Sequence, residues 1–380
     1  MTATALRSDH PTRFAHLRPG AARAVLSSLV VAGLLLVAIT LSPWRSGFAD
    51  AASRGAGDVA LYNATIDRIG GGETYYSAAK AELEVRGYPT RSILNWRTPL
   101  PVWLIGVLPV GAGQVLLTLV AVGVLAVAGH VVTKRAGLRL ALTTLLFLTG
   151  ALLPVALPGP YVMSEVWCGV LLAASLVCYG IDRKGFAVAC GLAALFVREL
   201  AAPYCLVCGF FAMGERRWKE VGGWLAGALA YAGFYAWHVS QVLPLIEADA
   251  RTHAEGWLQL GGAAFVISLV QMNVYLLLLP QWLSAIYLLV ALLGFAALDG
   301  AWGRRAAWAA CVYVLAFGFV GQPFNQYWGA VIAPLFCFGA GQGMAAIVDL
   351  WRAARLPGTA ALSGGSAALE GRRTTTFVRW

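Results

Sequence analysis

Long apolar runs alternate with short polar connections along this chain. The longest are Ala24–Thr40, Val115–Val132, Leu138–Leu157, Val166–Tyr179 and Trp328–Ile347. Each approaches or reaches the roughly 20 residues that cross a hydrocarbon layer as a helix. Helix is the expected conformation, because in lipid every backbone amide of a lone segment needs an internal partner. Polar interruptions place spans near 24–43, 113–132, 138–157, 160–181, 186–198, 200–213, 221–243, 282–298, 306–321 and 327–347. The pattern thus predicts an all-α polytopic membrane protein of about ten transmembrane helices, with amphipathic surface helices in the first outward loop.

Three stretches fit that scheme less simply. Pro99–Val110 and Ala263–Leu279 are apolar, but if either crossed alone the basic connections beyond it would change sides, so both read as interfacial or re-entrant. Residues 186–213 are too long for one span and short for two, and Arg198–Glu199 falls at their middle. A hairpin with that pair at its outer apex keeps two ionised groups out of lipid.

Composition agrees with the pattern. The 380 residues are 59% hydrophobic and 12% charged, with a mean hydropathy of +0.71. A soluble domain carries roughly twice that charge. The net charge of +10 raises a nucleic-acid reading, but the cations are spread through short connections: Lys134–Arg135, Arg183–Lys184, Arg216–Arg217 with Lys219, and Arg304–Arg305. Such placement is topology information rather than a phosphate-binding stripe, so no nucleic-acid partner is expected. It predicts a multi-pass protein of the cytoplasmic (inner) membrane with both termini cytoplasmic. Residues 1–23 form a basic N-terminus, 24–350 the membrane domain with an outward loop over 44–97, and 351–380 a disordered basic tail. The first apolar run is longer than a signal-peptide core and lacks a small-x-small cleavage site, so it reads as an uncleaved span. All seven cysteines lie in apolar segments, and the Cys205/Cys208 pair reads as helix packing rather than a redox motif.

The outward loop carries six of the chain's eighteen acids: Asp50, Asp58, Asp67, Glu73, Glu82 and Glu84. Val59, Tyr62, Ile66 and Ile69 recur at helical spacing, and Gly70–Gly72 stops that helix. A second helix is expected from Glu73 to Arg86, ended by Gly87. Such helices can lie flat on a membrane surface.

Several residues are candidates for chemistry. Asp58 opens the first loop helix, where a carboxylate serves equally as an N-cap or as a base. Glu165 stands at the outer start of a span, where it is either dipole complementation or a paired functional acid. Arg198 could grip an anion with its forked donors, or lock the hairpin through an ion pair with Glu165 or Glu199. Arg91 and Arg97, flanking Asn95 and Trp96, suit either interface anchoring or contact with a lipid phosphate. Asn325 and Tyr327 lie in a polar, aromatic turn before the last span. His130 and His238 are too far apart to read as metal ligands, and no catalytic-triad order, zinc signature or phosphate-cradling glycine loop is evident.

The runs Gly57-Asp58-Val59-Ala60-Leu61-Tyr62, Gly72-Glu73-Thr74-Tyr75-Tyr76 and Asn95-Trp96-Arg97-Thr98-Pro99-Leu100 follow a first span. In that setting the chain resembles the GT-C superfamily of integral-membrane glycosyltransferases, which includes protein O-mannosyltransferases and lipid A aminoarabinose transferases. The likeness covers roughly residues 20–350 in layout and is specific mainly in the first loop. It departs from the family in having a single Asp rather than paired acids there, and in lacking a large extramembrane domain after the last span. The resemblance implies transfer of a sugar from a polyprenyl-phosphate donor to a glycan, lipid or protein acceptor on the outer face. It implies Asp58 as the base and Arg198 as the leading phosphate cation. Glu199, Glu165, Arg97, Arg91, Asn325 and Tyr327 are the further substrate-binding candidates. A divalent metal is compatible with this chemistry, but no ligand set is assigned. The rival classes are a transporter or flippase, with its charges at a midplane site, and a non-catalytic scaffold. Convergence of Asp58, Glu165 and Arg198 on one cavity separates the transferase from both.

Overall fold

The computed structural model describes residues 12–42, 57–252, 259–321 and 323–356. These form fifteen α-helices joined by turns and short 3-10 segments. In order they are α1 (Pro19–Leu41), α2 (Gly57–Gly70), α3 (Tyr75–Val85), α4 (Leu100–Val107), α5 (Ala112–Ala136), α6 (Leu138–Leu152), α7 (Ser164–Gly180), α8 (Lys184–Val197), α9 (Ala202–Gly214), α10 (Trp218–Val242), α11 (Gly262–Val270), α12 (Val274–Leu277), α13 (Gln281–Ala297), α14 (Gly300–Phe319) and α15 (Gly329–Arg355).

The all-α class matches the expectation, but the count of ten long spans does not. Four described helical stretches are long and apolar enough to cross a membrane: Pro19–Leu41, Ala112–Ala136, Leu138–Ala156 and Phe324–Arg355. The helices covering 164–180, 184–197, 199–214 and 281–297 are apolar but fall short, because turns or 3-10 segments bound them. α10 and α14 are long enough but more polar, with Lys219, Glu220 and His238 in one and Arg304 and Arg305 in the other. A window of hydropathy does not register where a helix stops, and so ran several of these elements out to full spans.

α15 is the centre of the bundle. It is buried along most of its length, and α6, α7, α13 and α14 pack around it. Glycines set the closest approaches. A Cβ on Gly294 of α13 would clash with Gly339 O of α15, and one on Gly169 of α7 would clash with Ala330 O, so both contacts require the missing side chain. α1 leans on α13 and α15 but leaves Val30, Val31, Leu34 and Leu35 exposed, a face that suits lipid. At its start, the Thr12 backbone N and Oγ1 both donate to Asp349 Oδ2, at 2.7 and 2.8 Å. α15 stays helical through Arg355, so the tail expected from residue 351 begins later, and residues 357–380 lie outside the described residues.

The first loop forms two helices, as its spacing predicts. Thr74 caps α3 by accepting from Ser77 N, and the chain leaves α2 through Gly72 at φ 97°. These helices do not lie free on a surface. Leu61, Tyr62, Thr65 and Ile69 of α2 are buried, and Ile69 fits into the space left by Gly106 of α4. Val59 and Ile66, expected on the same face, are only half-buried. α4 has 8 residues and α11 has 9, so neither is long enough to cross alone.

Residues 184–214 fold back as the expected hairpin. Cys205 Sγ lies 3.4 Å from Gly191 O, and Lys184 and Arg217 share one cavity at the open end. Arg198 breaks the helix in an extended conformation, φ −153° and ψ 123°, at the turn.

Candidate functional site

Asp58 lies in the first turn of α2 and is buried. Tyr88, in the turn after α3, donates to Asp58 Oδ1 at 2.6 Å. The two lie on the wall of a cleft of about 170 Å³ whose other members include Tyr62, Tyr75, Trp96, Arg97, Asn325 and Tyr327. Burial pushes the Asp58 pKa above its usual value. Hydrogen bonds from Tyr88 and Tyr327 and the charge of Arg97 pull it back, while Glu165 adds to the rise. The result is a carboxylate of increased basicity facing a cleft, the property a general base needs.

Arg97 is the cation of this cleft. It donates from Nε to the Tyr62 hydroxyl (3.3 Å), from Nη1 to Leu94 O (2.9 Å) and from Nη2 to the Tyr327 hydroxyl (3.0 Å). These partners are all neutral, and no carboxylate among the described residues forms an ion pair with Arg97. Its segment is fixed on three sides. The Tyr75 hydroxyl donates to Arg97 O (2.6 Å), Thr98 Oγ1 donates to Val197 O (3.0 Å), and His238 Nε2 contacts Trp96 O at 3.2 Å. Buried His238 also meets the Tyr76 hydroxyl through Nδ1 at 2.9 Å, so α3 fixes the ring by which α10 contacts the Trp96 backbone.

Arg97 borders a second cavity too. This one, of about 280 Å³, is lined mainly by Leu94, Leu200, Pro203, Phe317, Val320 and Trp328, with Arg198 and Glu199 as its other charged members. Arg198 sits differently from Arg97. Its Nε lies 2.9 Å from Glu165 Oε1 and its Nη1 2.6 Å from Glu199 Oε1; Arg198 and Glu165 are almost wholly buried. Arg198 Nη2 has no hydrogen-bond partner. The sequence left an anion clamp and a hairpin lock both open for this residue, and its two carboxylate partners favour the lock.

The remaining candidates divide. Tyr327 and fully buried Asn325 join the Asp58 cleft, where Asn325 Nδ2 donates to the Tyr327 hydroxyl at 3.3 Å. Glu165 lines neither cavity. Arg91 lies outside both and is exposed, with its backbone and side chain tied to the 248–251 loop. Asp58 and Arg198 therefore do not share a cavity and Glu165 lines neither, so the expected convergence of these three residues on one cavity is not met; Arg97 is the residue that borders both spaces. The sequence marks Tyr62 only as a position on the apolar face of the first loop helix, and it does not single out Tyr88. Among the described residues, no three His, Cys, Asp or Glu side chains gather as a metal-ligand group.

Comparison of the chain with protein-family models, with curated proteins and with solved structures finds no match in any of the three.

Proposed function

We propose that this chain is a membrane glycosyltransferase that moves a sugar from a polyprenyl-phosphate donor to an acceptor hydroxyl at the outer face of the inner membrane. The observation that carries the reading is Arg97, a cation with only neutral partners, standing where an acid-bearing, tyrosine-lined cleft meets a second, largely aliphatic and aromatic cavity. A lipid-linked sugar phosphate has the same three parts: a polar sugar, an anion and a hydrocarbon chain.

In this reading Asp58 takes the proton of the acceptor hydroxyl as its oxygen attacks the anomeric carbon. The bond from that carbon to the phosphate oxygen breaks, and the polyprenyl phosphate departs with its new negative charge facing Arg97. Tyr327 lies between the two centres, accepting from Arg97 and lining the cleft that holds Asp58. The Glu165–Arg198–Glu199 cluster holds the hairpin apex beside them. The ten-crossing topology with both termini cytoplasmic belongs to this proposal. The helices shorter than a full span then cross together with their flanking turns, in a locally thinned bilayer.

The test is incubation of purified protein with labelled polyprenyl-phosphate sugars, reading transfer or slow donor hydrolysis. Turnover that disappears in Asp58→Asn supports the reading. Donor binding without turnover, unchanged by Asp58→Asn, favours a lipid carrier instead.

A further inference from the structure

At the end of the bundle that holds Thr12 and Asp349, a third cavity of about 330 Å³ opens between α5, α6, α15 and the turn from α13 to α14. None of its lining residues borders the Asp58 cleft or the cavity beside Arg198. Val132, Leu298 and Phe338 are in its apolar wall, and Arg135, Thr144 and Gln342 are among its polar members.

Two of those polar side chains are stranded. Thr144 is 2% exposed, yet its hydroxyl makes no hydrogen bond among the described residues. The other threonines of α6 bond back to their own helix, Thr143 to Arg139 O at 3.1 Å and Thr149 to Leu145 O at 2.6 Å. Thr144 instead turns its hydroxyl to Gly341 of α15, where a Cβ would clash with Oγ1. Gln342, the next residue of α15, is half-buried, and its side chain also has no hydrogen-bond partner among the described residues. An unpaired polar group inside a bundle is costly, and such groups are ordinarily satisfied by protein, water or a ligand. Here two of them, on facing helices, border one space.

Arg135 adds a cation. It stands at an exposed position, but its guanidinium folds back over the Trp302 ring, 5.3 Å from the centroid, and Nη2 donates to Gly180 O at 3.1 Å. Trp302 packs edge-on against Phe338 at 5.7 Å, so the guanidinium lies along the cavity wall. Arg135 has no ion pair among the described residues. α14 starts at the same wall through Gly300, and its N-cap Asp299 gives no side-chain hydrogen bond to the first amides. Asp299 is the one carboxylate lining the cavity among the described residues; its side chain is 77% exposed and faces Arg13 at 3.8 Å. Thr12 and Trp302 have spent their side-chain donors on Asp349 Oδ2 and Leu176 O.

The cavity therefore offers a ligand chiefly donors: a forked guanidinium, an amide, a hydroxyl and a helix start. A phosphate monoester brings three strong acceptor oxygens and about two negative charges to such a set. Val132, Leu298 and Phe338 suit an apolar group attached to it. We propose that this cavity binds a phosphate monoester bearing an apolar group, with Arg135, Gln342 and Thr144 on the phosphate. The site is separate from the transferase centre and independent of that reading.

The experiment is calorimetric titration of the detergent-purified protein with phenyl phosphate, beside native mass spectrometry with phosphatidic acid, a monoester lipid, against phosphatidylcholine. Saturable binding of phenyl phosphate assigns the site to a soluble ester, and selective retention of phosphatidic acid alone assigns it to a lipid. Thr144→Val with Gln342→Leu should weaken the bound ligand by at least about tenfold, the effect of losing one hydrogen bond to a charged group. Neither residue gives up a protein partner, so the double variant should melt no lower than the parent. Arg135→Gln, at an exposed position, should show a loss of at least the same size and gives the same readout should the interior variant fail to fold. Lys134→Gln, one residue away and outside the cavity, should leave binding unchanged. Binding of neither ligand, or binding that survives both cavity variants, overturns the proposal and leaves a cavity that holds water. Inorganic phosphate that binds as tightly as phenyl phosphate overturns the apolar half of it.

Discussion

The Tyr88 hydroxyl donates to Asp58 Oδ1 at 2.6 Å, joining the turn after α3 to the first turn of α2. That contact turns a residue whose position suits a helix cap into one that faces a cleft beside Arg97. It also makes the basicity of Asp58 adjustable from a second residue.

Asp58→Asn should abolish transfer while the protein folds, since Asn keeps the size and accepts from Tyr88. Removing a general base typically lowers turnover by about 10²–10⁴-fold. Stability should move in the opposite direction. Burial raises the folded-state pKa of Asp58 above its unfolded value, so its contribution is fully present below the unfolded pKa and is lost as pH rises through the folded one. The Asn variant should therefore melt higher than the parent at neutral pH and lose that advantage in acid. Melting curves across pH check this, and an Asn variant that is less stable at neutral pH contradicts it.

Tyr88→Phe removes a hydrogen bond that favours the Asp58 carboxylate. The pKa should rise further, shifting the acid limb of the kcat/KM profile to higher pH with the plateau largely retained. A pH–rate profile superimposable on the parent would exclude coupling between the two residues.

Arg97→Gln should weaken donor binding, because the charge facing the phosphate is lost. A hydrogen bond to a charged group is worth about 1.5–3 kcal/mol. Thermal stability should change little, since the partners left behind are two hydroxyls and a carbonyl. Arg97→Lys should lie between the two, keeping the charge but not the forked geometry. Donor titration and melting, run side by side, separate binding from folding.

Arg198→Gln should do the reverse. It strands fully buried Glu165, at a cost of roughly 3–5 kcal/mol for a buried pair. Replacing Arg198 with Met and Glu165 with Leu together should recover much of that loss, because Glu199 is partly exposed and can be hydrated. If Arg198→Gln melts normally but no longer binds donor, Arg198 rather than Arg97 is the phosphate cation.

Single cysteines at Ala60 and Ala136, in a cysteine-free background, should label from opposite sides of sealed vesicles with an impermeant thiol reagent. Labelling of both from the same side would refute the proposed topology.

Much of this protein was legible from periodicity alone. The helical class, α2 and α3 with their glycine stops, the non-spanning 99–110 and 263–279 segments, and the hairpin at Arg198 all follow from local spacing and from the cost of ionised groups in apolar runs. The same signals marked Asp58, Arg97, Asn325 and Tyr327 as polar residues needing an explanation. What local spacing does not encode is distance between segments. Arg97 and Tyr327 meet across 230 positions and Asp58 and Tyr88 across 30, and only the packing of α2, α3 and the 323–328 turn brings them together. The two arginines illustrate the limit best. In the sequence Arg198 is marked by its place in an apolar run as a residue needing a partner, and only the family resemblance makes it the leading phosphate cation. Tertiary structure supplied it with two carboxylates and left Arg97 with hydroxyl and carbonyl partners alone, because which acids reach a cation is set by the packing of distant segments.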